Sequence, residues 1–92
     1  MHYVWDSAKD LLNRQKHGLS LQDGIVALED PYREEWIDTR FDYGEERIVT
    51  LGKARKQVLF VVSTVRDEIC IRIISVRRAE KDEIERYELD RS

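Results

Sequence analysis

The chain has 92 residues, 41% hydrophobic and 38% charged, with a formal net charge of −3. That length fits one domain over 1–92, and the balance excludes a disordered chain as well as a second domain that could close over an active site. The acidic sum argues mildly against a nucleic-acid binder, since phosphate recognition leaves a basic footprint.

The charge is unevenly spread. Between Glu29 and Glu46 eight acidic residues stand against Arg33 and Arg40, a balance of −6, whereas from Arg66 to Arg78 four arginines stand against Asp67 and Glu68, a balance of +2. The acidic segment reads either as a solvated loop and edge strand or as a surface for a basic partner. No run approaches the ~20 apolar residues of a membrane span, and Met1-His2-Tyr3-Val4-Trp5-Asp6 shows no basic leader with an apolar stretch behind it. With one cysteine, Cys70, no internal disulfide forms. Cys70 is expected as a small buried hydrophobe and the protein in a reducing cytoplasm.

Tyr3-Val4-Trp5 predicts a short strand, after which Asp6 caps a helix to about Lys16 with Ala8, Leu11, Leu12 and Gln15 on one face. Gly18 suits its left-handed end, and Arg14, Lys16 and His17 complement its dipole. Ser20-Leu21-Gln22-Asp23 resembles a capping box for a second helix carrying Leu21, Ile25 and Leu28, ended by Asp30-Pro31. A weak strand over 32–38 and a turn at Asp42-Tyr43-Gly44 precede a strand from Arg47 to Leu51. Two near-continuous apolar runs, Val58 to Val65 and Ile69 to Val76, predict central strands joined by Arg66-Asp67-Glu68. From Ala79 the chain is helical, with Ile84, Tyr87 and Leu89 toward the core. The fold class is therefore α+β: a small, mostly antiparallel sheet with two N-terminal helices on one face and a C-terminal helix, the other face partly open.

Two histidines and one cysteine give no metal-ligand spacing, and the isolated glycines at 18, 24, 44 and 52 give no phosphate-cradling loop. No nucleophile elbow supports a serine hydrolase. Cations and acids remain, and RNA cleavage by 2′-hydroxyl attack needs a base, an acid and fixed positive charge, with no cofactor. Arg66, Arg72, Arg77 and Arg78 lie on or beside the two best strands. Arg72 interrupts an apolar run, either as a phosphate ligand or as the partner of Glu46 or Glu68. Arg77 and Arg78 read as ligands or as surface residues. Lys16 and His17 read as a helix cap or as an acid and a base. Of Glu45 and Glu46, before Arg47, strand alternation lets at most one serve a common site. Trp5, Trp36 and Tyr43 offer rings for base stacking, Trp5 being expected in the core.

Taken in order, Trp5-Asp6 with Lys9, Asn13 and Lys16-His17-Gly18, Asp30-Pro31, Tyr43-Gly44-Glu45-Glu46-Arg47, Leu51-Gly52, Thr64-Val65-Arg66, Ile71-Arg72-Ile73-Ile74-Ser75, Arg77-Arg78-Ala79, Glu83 and Tyr87 resemble the BrnT family of type II toxins, which is similar in fold to the RelE group of ribonucleases. Leu21 replaces a usual aromatic, Leu28 a common Phe and Arg78 a frequent Lys. The resemblance implies a metal-independent endoribonuclease without cofactor that arrests growth. A BrnA-type antitoxin would neutralise it in a hetero-oligomer, with operator DNA contacted only through the antitoxin. It places catalytic function on Lys16, His17, Glu46, Arg47, Arg66 and Arg77, and substrate binding on Arg72 and Arg78. A non-catalytic or attenuated module acting in operon regulation through its antitoxin complex is the rival expectation. The acidic charge and the lack of a compelling acid and base pair favour that rival.

Overall fold

The computed structural model describes residues 1–89, so the last three residues of the expected 1–92 domain lie outside the described ones. The elements are β1 (His2–Val4), α1 (Ser7–His17), a 3-10 turn (Leu21–Asp23), α2 (Gly24–Leu28), β2 (Glu34–Ile37), β3 (Ile48–Ala54), β4 (Gln57–Asp67), β5 (Cys70–Arg78) and α3 (Lys81–Leu89). They form a five-stranded sheet in the order β1-β5-β4-β3-β2. β1 runs parallel to β5, so the sheet is mixed and not the mostly antiparallel one expected from sequence. A three-residue strand carries no signal of direction. Its pairing is set by where the helix that follows it must dock.

That docking overturns a second expectation. Ala8, Leu11, Leu12 and Gln15 are all exposed, and the residues α1 buries are Asp10 and Asn13. β1 pairs only with Cys70, Ile71 and Arg72, which leaves the remaining edge of β5 open. Asn13 fills it. Its carboxamide accepts the Val76 N–H at 3.0 Å, donates to the Val76 carbonyl at 2.9 Å and donates to the Leu19 carbonyl at 2.8 Å. Asp10 accepts the Leu21 N–H at 2.7 Å and pairs with Arg14 at 3.0 Å. The helix thus meets the sheet through hydrogen bonds that satisfy edge backbone groups, and a hydrophobic stripe is not what holds it.

The second helix is also not the one expected, being a 3-10 turn with the Ser20–Asp23 capping box that runs into five residues of α2. It presses hard on the sheet: a Cβ on Gly52 would meet the Ala27 carbonyl oxygen at 2.1 Å, so only glycine allows this approach. Leu21, Ala27, Leu59, Val61, Ile73 and Val76 form the core beneath. On the opposite face Val49, Leu51, Val58, Phe60 and Val62 gather around Tyr87 of α3. The Tyr87 hydroxyl donates to buried Asp30, which also accepts the Tyr32 N–H at 2.9 Å and the Lys53 N–H at 2.7 Å. Leu89, expected toward the core, is exposed, because nine residues of α3 cover only part of this face.

Asn13→Ala strips partners from a buried N–H and two buried carbonyls and should cost about 3 kcal/mol. Leu12→Ala should cost under about 0.5 kcal/mol because Leu12 is 63% exposed. Urea unfolding midpoints of the two variants check the order, and a larger loss at Leu12 would contradict this account of α1.

Candidate active site

The sheet face that α3 leaves uncovered carries a row of arginines. Arg77 stands opposite Phe60 across the β4–β5 ladder, and its guanidinium lies 3.8 Å over the Phe60 ring. Glu83 grips it with two bonds of 2.8 and 2.9 Å, while a third donor reaches the Arg78 carbonyl at 3.1 Å. Glu83 also accepts the Glu80 N–H at 2.7 Å, so the start of α3 fixes the clamp. Arg40 comes from the loop after β2, tied to Asp38 by bonds of 2.9 and 2.8 Å, and sits 5.6 Å from the same ring. Of the five N–H donors on a guanidinium, these contacts leave Arg77 its Nε–H and one Nη2–H. Two cations with donors to spare over one apolar ring suit a phosphate group.

The carboxylates holding them are ionised. The hydrogen bonds from Arg40 pull Asp38 far below the usual aspartate value, against its burial. Burial acts to raise Glu83, but the Arg77 hydrogen bonds, the Glu80 N–H and the charges of Arg77 and Arg40 outweigh it and leave the carboxyl below its ordinary value.

Because α1 lies along the β5 edge, its last turn brings Lys16 and His17 to this end of the sheet. With Lys9, Leu12, Asn13, Ile74 and Ser75 they line a cavity of about 240 Å³. The His17 imidazole is pushed below its ordinary value by burial first, then by the charges of Lys16 and Arg77. Arg78 donates to the His17 carbonyl at 3.0 Å and to Gln57 at 3.0 Å, bracing the helix end on the strand. Lys16, His17, Arg77 and Arg78 are therefore brought together.

The other expected residues form a second group. Arg72, opposite Thr64, binds Glu45 at 2.7 Å, and Glu45 also holds Arg47 at 3.2 Å, whose guanidinium stacks 4.0 Å over Tyr43. The acid partner of Arg72 is thus Glu45, not Glu46 or Glu68. The Glu46 carbonyl takes the Thr64 hydroxyl at 2.8 Å and its side chain is exposed. Arg66 is exposed at the far end of β4 and lines a cavity with Glu45, Glu46 and Thr64. Six positions separate it from Phe60, about 20 Å along the strand. The structure does not bring Arg66 to Arg77.

Several expectations change with these contacts. The acidic stretch is largely a set of partners: Glu34 for Arg86, Glu35 for Arg33, Asp38 for Arg40 and Glu45 for Arg72, with Asp30 buried. Trp36 is covered by Arg86 at 4.1 Å and Tyr43 by Arg47, so guanidiniums already occupy these rings. Cys70 is only half-buried. Arg40 and Glu83 received no role from the sequence, although Glu80-x-x-Glu83 has capping-box spacing that would have found the second. Among the described residues no three His, Cys, Asp or Glu side chains gather as a metal site, and no helix is long and apolar enough to cross a membrane.

A family model described as "Ribonuclease toxin, BrnT, of type II toxin-antitoxin system" matches residues 5–83. No curated protein matches in sequence. Among solved structures, the 1.1 Å crystal structure of the Brucella abortus ribonuclease toxin, BrnT, matches with a TM-score of 0.64 at 20% identity. The match covers 88% of this chain and 100% of that one, a likeness of fold. With the family model spanning most of the sequence and this fold beneath it, the chain belongs to the BrnT family of ribonuclease toxins of type II toxin-antitoxin systems.

Proposed function

We propose that the chain, as one toxin domain over 1–92, is a cytoplasmic, metal-independent endoribonuclease that cleaves RNA by attack of a 2′-hydroxyl on the adjacent phosphorus. One observation supports this above others: Arg77 is fixed over Phe60 within electrostatic reach of His17. In the reaction His17 takes the 2′-hydroxyl proton, the 2′-oxygen bonds to phosphorus, and the 5′-oxygen leaves with a proton from Lys16. The products are a 2′,3′-cyclic phosphate and a 5′-hydroxyl. Arg77, with Arg40 beside it, holds the equatorial oxygens as charge builds, and its position costs no reorganisation because Glu83 and Phe60 hold it beforehand. Arg78 keeps the helix end in place. Arg47, Arg72, Glu46 and Arg66 then contact the RNA away from the cleaved bond. A BrnA-type antitoxin would silence the toxin in a hetero-oligomer and carry the complex to operator DNA.

Incubating purified protein with single-stranded RNA in excess chelator tests the reading. Cleavage should persist with cyclic phosphate ends, and Arg77→Ala should lower the rate by about 10²–10³ while the protein stays folded. No cleavage alongside intact antitoxin binding would leave the rival, a non-catalytic module.

The lowered His17 value has a defined sign. The imidazole is neutral at pH 7 and able to accept a proton, so the rate should be flat there and fall only on acidification below the ordinary value of 6.5. His17→Ala should lose about 10²–10⁴ in rate and the acid limb with it. A pH–rate profile with its limb unchanged in that variant would remove His17 from the base role.

A further inference from the structure

Arg66 stands apart from its neighbours. Arg40, Arg47, Arg72, Arg77 and Arg86 each hold a carboxylate, but among the described residues Arg66 holds neither an ion pair nor a hydrogen bond. It opens onto a cavity of about 580 Å³ where β1 meets the ends of β4 and β5, lined also by Trp5, Asp6, Asp67, Cys70 and Arg72. Arg72, which also lines it, is held at Nη2 by Glu45, and its Nε is enclosed by the protein without a partner. The two acids in the wall are exposed and each holds local backbone: Asp6 accepts the Ala8 and Lys9 N–H groups, and Asp67 accepts that of Ile69.

We infer that this cavity is a nucleotide subsite for single-stranded RNA, distinct from the cleavage centre, with Arg66 and Arg72 on a phosphate and the Trp5 ring against a base. This inference rests on the ribonuclease reading and assigns to Arg66 a role in holding the strand. Two features favour a nucleotide over a bare anion. The cavity is lined by two arginines and by Trp5, which is half-buried and packs against the core as expected, and an aromatic ring beside guanidiniums is the combination that tracks an unpaired strand. It also lies along the same β4–β5 ladder as Arg77, about 20 Å away. That span equals about six stacked nucleotides at ~3.4 Å each, and fewer if the strand is stretched. The protein should therefore prefer RNA long enough to reach both ends of the ladder.

The test uses the whole protein and two single-stranded 2′-O-methyl RNA probes, which cannot be cleaved: one of about three nucleotides and one of about ten. Fluorescence anisotropy should show the long probe binding tighter. Arg66→Ala should weaken the long probe about tenfold and lower its salt slope by about 1. On cleavable RNA the same variant should raise KM for the long substrate, with kcat changing less. Arg66 is exposed, so the substitution should not unfold the chain, and an unchanged urea midpoint confirms it. Equal binding of the long probe by wild type and variant overturns the subsite. So does a loss confined to kcat, which would put Arg66 at the reacting phosphate, or Arg66-dependent binding of an acidic peptide with none of RNA. If the long probe binds through Arg66 but no RNA is cut, the subsite stands and the ribonuclease reading fails.

Discussion

The carboxamide of Asn13 carries the organisation of this protein. By exchanging two hydrogen bonds with Val76 it acts as one more residue of strand on the edge of β5, and a third bond fixes the chain after the helix at Leu19. An open edge next to a three-residue β1 would leave backbone donors and acceptors unpaired and exposed to other strands. Filling it with a helix has a further consequence. α1 lies beside the sheet with its C-terminal turn at the same end as Arg77, and Lys16 and His17 become neighbours of a residue some 60 positions away in sequence.

The second constraint is the orientation of cations. A guanidinium on an exposed strand samples many rotamers, and ordering it during a reaction would cost entropy. Here Arg77 is packed on Phe60 and forked onto Glu83, while Arg40 is forked onto Asp38. This use of acids reconciles the net charge of −3 with the proposed site for a polyanion. Glu34, Asp38, Glu45 and Glu83 serve as holders of arginines, and what matters for phosphate is the donors left over, not the formal sum. On the proposed reading each holder would also repel the strand.

Local signals in the sequence match local structure. The Asp6 cap, Gly18 in the left-handed region, the Ser20–Asp23 capping box and the two long apolar strands all appear where residue chemistry placed them, because each depends on neighbours a few positions apart. The buried face of α1 differs from the one its apolar residues predict. Periodicity assumes that a helix buries its apolar stripe, yet α1 docks through Asp10 and Asn13 and leaves Leu11 and Leu12 exposed. For Arg72 the sequence leaves a phosphate and an acid partner both open, and Glu45, in the bend before β3, is the acid that the fold brings to it.

By itself the sequence determined the α+β class through local pattern, carried the resemblance to the family in the order of its motifs, and supplied the candidates for phosphate chemistry. Tertiary structure alone decided the parallel β1–β5 pairing, the polar docking of α1, and the division of the basic residues into Lys16, His17 and Arg77 at one end and Arg66 and Arg72 at the other. These are matters of strand register and of contacts across more than 60 residues. No window of sequence contains the free energy of such contacts, because each depends on which backbone groups the rest of the fold has left unpaired.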